Sequence, residues 1–250
     1  MRLTNKALNR FSKQIILKNI GISGQKKIFS AKVLVIGAGG LGCPLILYLA
    51  NSGVGNIGIV DDDKVDLTNL NRQILFTNDD LGKFKVVQAK KVIKKINKDI
   101  KVTIFKKKIT KNNIANTIKK FDIICDGTDN FNSRFLINDY CLKYKKILIS
   151  AAINKFDGQI FNFNFKKKIS CFRCFMPEIP KYAINCDDEG ILPATAGIAG
   201  TLQANEVIKS IINNKKVTKD NILIFNSMSL DFRKVKLSKN FKCVNKCSKK

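Results

Sequence analysis

Histidine is missing altogether from this chain of 250 residues, and acidic side chains are scarce, 19 against 46 lysines and arginines. The first absence removes the commonest general base and any mixed cysteine and histidine metal set, so a soft-metal site here has to be built from sulfur alone. The second leaves a formal charge of +27, which invites a nucleic-acid partner. That invitation is weak. The excess is almost all lysine, scattered among isoleucine and asparagine as AT-biased coding produces, with no arginine-rich stripe and interleaved aromatics. Acidic proteins and nucleotides suit such a surface better than nucleic acid does.

Two further things are lacking. The N-terminus, MRLTNKALNRFSKQ, has no apolar signal core. Residues 33–60 carry no charge and are long enough to cross a bilayer, yet glycines, Pro44, Asn51 and Ser52 divide them into strand, helix and strand, so no membrane association is expected. The expectation is a cytoplasmic protein with reduced thiols, whose eight cysteines serve metal binding, catalysis or core packing in place of disulfides.

What is present is organised around AKVLVIGAGGLGCPLILYLANSGVGNIGIVDDD, residues 31–63. Val33 to Ile36 reads as a strand buried on both faces, and it ends in Gly37-Ala38-Gly39-Gly40-Leu41-Gly42. In a GxGxxG turn the first glycine permits the tight bend, the second lets the backbone approach phosphate, and the third lets the following helix pack on its strand. Ile57 to Val60 then ends in Asp61-Asp62-Asp63, where a carboxylate can take ribose hydroxyls. Nucleotide binding is the reading of this stretch.

Along the chain, Leu8, Phe11, Ile15 and Ile16 predict an amphipathic helix within residues 5–20, with Arg10 and Lys13 off its apolar face. After Asp63 a loop crowds Asn69, Asn71, Arg72 and Gln73 beyond the end of a parallel strand, where open α/β sheets bind ligands. Arg72 offers a planar fork to phosphate, and Lys85 a compact charge at the start of a helix over about residues 82–97. A strand at 101–105, a helix at 111–120 and a strand from Phe121 to Cys125 follow, and the last ends in Asp126-Gly127-Thr128-Asp129-Asn130. Those acids suit either a magnesium ion beside the phosphates or the capping of the next helix. Helix 131–144 and strand 147–151 complete the alternation; Asp157-Gly158 then signals a hairpin, and Phe161, Phe163 and Phe165 share one face of a strand opposite Asn162 and Asn164. Helix 194–212 and strands 222–226 and 230–237 close the chain. The expected fold is α/β, a Rossmann-like nucleotide-binding sheet extended by C-terminal antiparallel strands. It forms one unit over 1–250, with an N-terminal helical segment (1–28), a nucleotide-binding half (31–150) and an antiparallel, crossover-loop and zinc half (151–250).

Cys171-Phe172-Arg173-Cys174 and Cys243-Val244-Asn245-Lys246-Cys247 make two short-spaced pairs, the pattern of a structural zinc site of four thiolates, although the second spacing has three intervening residues in place of the commoner two. Cys43, Cys125 and Cys141 read as small core residues. Cys186 lies in a polar loop, where Asp187, Asp188 and Glu189 would raise its pKa and argue against an activated nucleophile.

GAGGLG, DDDKVDLTNLNRQILF, DGTDN, the CxxC and GTLQANEVIK together resemble the bacterial ThiF/MoeB family, relatives of the ubiquitin-activating enzymes, over about residues 8–247. The resemblance implies a homodimeric adenylyltransferase that uses ATP and Mg²⁺ to activate the C-terminal glycine of a ubiquitin-like sulfur carrier, with a sulfur donor protein as a further partner and Zn²⁺ on the four cysteines. It puts Gly40, next to Gly37 and Gly39 of the same turn, against the phosphates, Asp61 on the ribose, and Thr68, Asn69, Leu70, Asn71, Arg72 and Lys85 around the triphosphate. Asp129 becomes the magnesium ligand, with Asn130 beside it. Lys13 stands where the family has an arginine that reaches the partner subunit's ATP, and Arg10 is the other candidate for that role. Asp61-Asp62-Asp63, Ile74-Leu75-Phe76-Thr77 and Asn185-Cys186 look more like the ThiF branch, which serves the ThiS carrier of thiamine biosynthesis, than the MoeB branch, which serves MoaD of molybdopterin biosynthesis. In the ThiF branch the loop cysteine, here Cys186, is implicated in a covalent link to the carrier. The competing class is an NAD-dependent oxidoreductase, which shares the fold; the charge of Arg72 and Lys85 and the lack of histidine count against it.

Overall fold

The computed structural model describes residues 4–167, 170–179, 190–213, 221–240, 242–245 and 247. Eight strands form one sheet in the order β3-β2-β1-β4-β5-β6-β7-β8. They are β1 (Lys32–Ile36), β2 (Asn56–Val60), β3 (Lys101–Phe105), β4 (Ile123–Asp126), β5 (Ile147–Asn154), β6 (Asp157–Asn164), β7 (Asn221–Asn226) and β8 (Asp231–Lys236). From β3 to β5 all neighbours are parallel, and from β5 to β8 all are antiparallel. The parallel part reverses direction of growth between β1 and β4, so the connections after β1 and β4 leave on opposite sides and open a crevice at their carboxyl ends.

The helices are α1 (Asn5–Ile15), α2 (Gly21–Ser30), α3 (Gly42–Asn51), α4 (Lys85–Ile96), α5 (Ile114–Ile118), α6 (Phe131–Lys143), α7 (Phe172–Phe175) and α8 (Pro193–Ile211). Because side chains of a strand alternate between faces, Val33 and Val35 enter one apolar layer with residues of α3, α4 and α8, while Leu34 and Ile36 enter a second with α5 and α6. Each such side chain contributes about 1.5–3 kcal/mol on full burial. This double burial is why the β1 segment is an unbroken apolar run. Among the described residues no helix is long and apolar enough to cross a membrane.

Two local departures from the sequence reading have physical causes, and one polar side chain is covered in a way the pattern leaves open. The N-terminal helix stops at Ile15 and a second begins at Gly21, whose φ is +57°. Ile16 lies beyond that break and is 71 % exposed, whereas Ala7 and Phe11 carry the buried face. The hairpin between β5 and β6 turns at Lys155-Phe156, with Lys155 at φ +52°, and Asp157-Gly158 already belong to β6, paired with Asn154 and Ile153. Gly158 is there for space, because a Cβ would lie 2.2 Å from the ring of Phe225. Finally, Asn162 does not face water: its Nδ2 donates to Glu206 Oε2 (2.9 Å) and Ser210 Oγ (3.1 Å) of α8, while Phe161, Phe163 and Phe165 pack on the other side.

Candidate nucleotide site and cysteine cage

β1 delivers the chain into the glycine turn at the centre of the crevice. Gly37 adopts φ +93° and its N–H donates to Val60 O at 2.9 Å. A Cβ on Gly42 would stand 2.0 Å from Gly37 O, so α3 starts as close to its strand as backbone allows. The first turn of α3 has no side-chain cap and no acidic residue, which leaves the positive end of the helix available to an anion. Asp61, at the end of β2, ties the turn in place: Oδ2 accepts from Ala38 N at 2.7 Å and Oδ1 from Asp63 N at 2.8 Å. Burial pushes the Asp61 carboxyl above the ordinary aspartate range, opposed by the Ala38 hydrogen bond and the Lys85 ammonium.

The crevice holds about 600 Å³, within the range of small-molecule sites, and is lined by Gly37, Gly39, Gly40, Asp61, Asn69, Arg72, Lys85, Asp129 and Asn130 among others. Arg72 is held by its own loop: Nη1 donates to Thr68 O (3.1 Å) and Asn71 Oδ1 (3.2 Å), and Nη2 to Asn69 Oδ1 (2.9 Å). Thr68, Leu70 and Asn71 do not line the crevice. Thr68 and Asn71 orient Arg72, and Leu70 packs on the core beneath. The Lys85 side chain is only 6 % exposed, and its Nζ donates to Asp63 Oδ2 at 2.9 Å.

The DGTDN segment separates its two acids. Asp126 is fully buried, accepting from Thr128 N (3.0 Å), Thr128 Oγ1 (2.6 Å) and Ser150 Oγ (2.7 Å) beside Arg134 Nε at 3.4 Å. Asn130 caps α6, its Oδ1 accepting from Ser133 N at 2.9 Å. Capping therefore falls to Asn130, and Asp129 is left exposed on the crevice wall, where its one hydrogen bond among the described residues comes from Asn130 Nδ2 at 3.2 Å. Lys13 is exposed on α1, away from this crevice, and Arg10 Nη2 donates to Ile96 O at the end of α4. Cys186 lies outside the described residues.

Three charged lining residues were not singled out from the sequence: Lys107, Lys108 and Arg134. The lysines follow β3, and the rule that ligands sit beyond the carboxyl ends of parallel strands was the signal that could have found them. Past Arg134 the lining turns apolar, with Ile153, Phe172, Phe175, Met176 and Ile191.

The four cysteines of the two pairs meet. Cys171 Sγ is 3.7 Å from Cys243 Sγ, Cys243 Sγ is 3.9 Å from Cys247 Sγ, and all four sulfurs lie within 4.8 Å of one another. Zinc at about 2.3 Å from each of four thiolates sets the sulfurs about 3.8 Å apart, so the cage fits that ion and the longer CxxxC spacing is accommodated. Hydrogen bonds from Cys247 foremost, then Asn245 and Cys243, draw the Cys171 thiol down to about 5, and sharing that proton pushes Cys247 up. Asn245 Nδ2 also donates to Asp139 Oδ1 at 2.8 Å, and Arg173 forks onto the same carboxylate. Burial works against ionisation of Asp139, but the bonds from Arg173, Asn245 and Asn138 together hold it below its ordinary range.

A parallel sheet with a glycine turn and an acid at the ends of adjacent strands places the molecule among the doubly wound α/β proteins that take a ligand at the switch point. The chain belongs to the ThiF family, which it matches over residues 11–246. It is 43 % identical over 246 residues to the adenylyltransferase and sulfurtransferase MOCS3 of Culex quinquefasciatus, covering 97 % of this chain and 56 % of that protein. With the probable molybdopterin-synthase adenylyltransferase of Porphyra purpurea it shares 44 % over 230 residues, 91 % of this chain and 60 % of the other. The chain thus spans little more than half the length of these relatives. The sulfur carrier protein adenylyltransferase of Thermus thermophilus is matched over 92 % of its length and 97 % of this chain, at 33 % identity. Among solved structures, Escherichia coli MccB with MccA-N7isoASN superposes with a TM-score of 0.85 over 98 % of this chain and 76 % of that one, at 24 % identity, a likeness of fold.

Proposed function

We propose that this crevice binds ATP and that the chain adenylates the C-terminal carboxylate of a ubiquitin-like sulfur carrier protein, releasing pyrophosphate. The observation that carries the reading is the gathering of the glycine turn, Asp61, Arg72, Lys85 and Asp129 on one crevice; the relatives named as adenylyltransferases support it. A carboxylate is already a charged nucleophile, so its attack on the α-phosphorus needs position and charge stabilisation more than a base. Gly37, Gly39 and Gly40 bring backbone amides to the phosphates and Asp61 takes the ribose hydroxyls. Arg72 and Lys85, with Asn69 fixing the arginine fork, stabilise charge on the phosphoryl oxygens. Asp129, a hard oxygen donor with Asn130 beside it, would hold Mg²⁺, which supplies neutralisation of phosphate charge. The carrier's tail reaches the crevice over its apolar end.

We read the carrier as ThiS-like from the triple aspartate and the Asn185-Cys186 loop, with Cys186 bonding to the carrier during sulfur transfer. The names of the MOCS3 and molybdopterin-synthase relatives favour the second reading, a MoaD-like carrier. A homodimer in which Lys13 reaches the ATP of the other subunit completes the proposal, together with zinc on Cys171, Cys174, Cys243 and Cys247. The test offers ATP with each of the two carriers and follows the mass of the carrier. One is expected to gain an adenylate; if neither does, and neither stimulates pyrophosphate exchange, the reading fails.

A further inference from the structure

Lys85 is a buried cation at the wall of an anion site, and Asp63 is its one side-chain hydrogen-bond and ion-pair partner among the described residues. The two are joined twice, since the backbone N–H of Lys85 also donates to Asp63 O at 3.0 Å. Their side chains differ sharply in exposure: 6 % for Lys85 and 64 % for Asp63. Asp61, Asp62 and Asp63 each bring one carboxylate oxygen to within 4.8 Å of the other two. A polyphosphate entering beside them meets like charge, and a carboxylate already seated on the lysine it needs.

Asp61 cannot yield, because both its oxygens are engaged by backbone amides. Asp63 can: its carboxylate stands mostly in water and leaving Lys85 costs it little. We propose that Asp63 is an exchangeable counter-ion, which holds the Lys85 ammonium in the nucleotide-free protein and surrenders it to a polyphosphate, swinging into solvent as the phosphates arrive. The inference deepens the nucleotide reading and rests on it. Asp63 is a positioning residue that acts through Lys85; it makes the buried ammonium tolerable without ligand and sets a threshold that only a ligand with enough phosphate charge passes.

This arrangement has a sign that a merely structural aspartate would not show. Replacing Asp63 by asparagine should weaken the free protein while strengthening its grip on ATP. The experiment uses the full chain as wild type, Asp63→Asn, Lys85→Met and the double variant, with ATP and AMP titrated calorimetrically at low and high salt and thermal unfolding measured without nucleotide. Expected for Asp63→Asn is ATP binding about two- to fivefold tighter at low salt, shrinking at high salt, with AMP unchanged. The nucleotide-free Tm should fall by about 2–4 °C, and that fall should vanish in the Lys85→Met background. Unchanged or weaker ATP binding by Asp63→Asn, an equal gain for AMP, or the same loss of Tm without Lys85 would overturn the counter-ion role. A wild-type chain that binds no ATP would overturn the nucleotide reading and this inference with it.

Discussion

One methyl group at position 42 would sit 2.0 Å from the Gly37 carbonyl oxygen, a contact that only a shift of backbone can relieve. Gly42→Ala is therefore expected to lose nucleotide binding outright or to fail to fold, and circular dichroism with an ATP titration tells which. Asp61 carries a second prediction. Because burial raises its pKa, the folded protein holds this proton at a pH where the unfolded chain has released it, so this group's contribution to stability is full below the ordinary aspartate value and is lost as pH rises through the raised one. ATP affinity, which on the proposed ribose contact draws on the ionised form, should move the other way and decline on acidification before an ordinary aspartate begins to protonate; Asp61→Asn should remove that step from the titration. Residues such as these were legible because each stands in a short contiguous motif at a strand's end. Lys107 and Lys108 were not, since in a chain so full of lysine only the fold distinguishes two that face a crevice from those that face water.

At the level of elements, the alternation of strands and helices could be read because β1, β2 and β4 are buried on both faces and so run apolar without interruption. The antiparallel half was harder. The Asn162 side of β6 turns polar in sequence after Ile160, yet Asn162 lies beneath α8, satisfied by Glu206 and Ser210, and no periodicity announces a polar side chain that is covered. Helix α7 is an element of only four residues, capped by Cys171 and carrying Cys174 as its third residue, while Phe172 and Phe175 line the crevice. Cys243→Ser should remove one bound zinc per chain, measured by metal analysis of the purified protein, and lower Tm by several degrees, because the tail then loses its tie to α7. Retention of metal by the serine variant would mean that the cage is not its site.

For the molecule as a whole, the proposed dimer makes each crevice depend on two chains. Asp129→Ala alone should cost about a hundredfold or more in carrier-dependent pyrophosphate exchange, with unfolding unchanged because the side chain is exposed. Mixing Lys13→Ala with Asp129→Ala chains should then restore part of the exchange, since one crevice of each mixed pair has both groups; a flat response would return Lys13 to ordinary surface. The outer end of the sheet is a different matter of scale. Every residue of β8 is exposed, and its far edge pairs with nothing among the described residues. Phe232 lies stacked on Phe225 there, a strand that left to itself would be sticky. Arg233, Lys234 and Lys236 sit along that same border, so neighbouring molecules in a crowded solution approach it positive side to positive side, and the ladder stays closed to fibre-like growth.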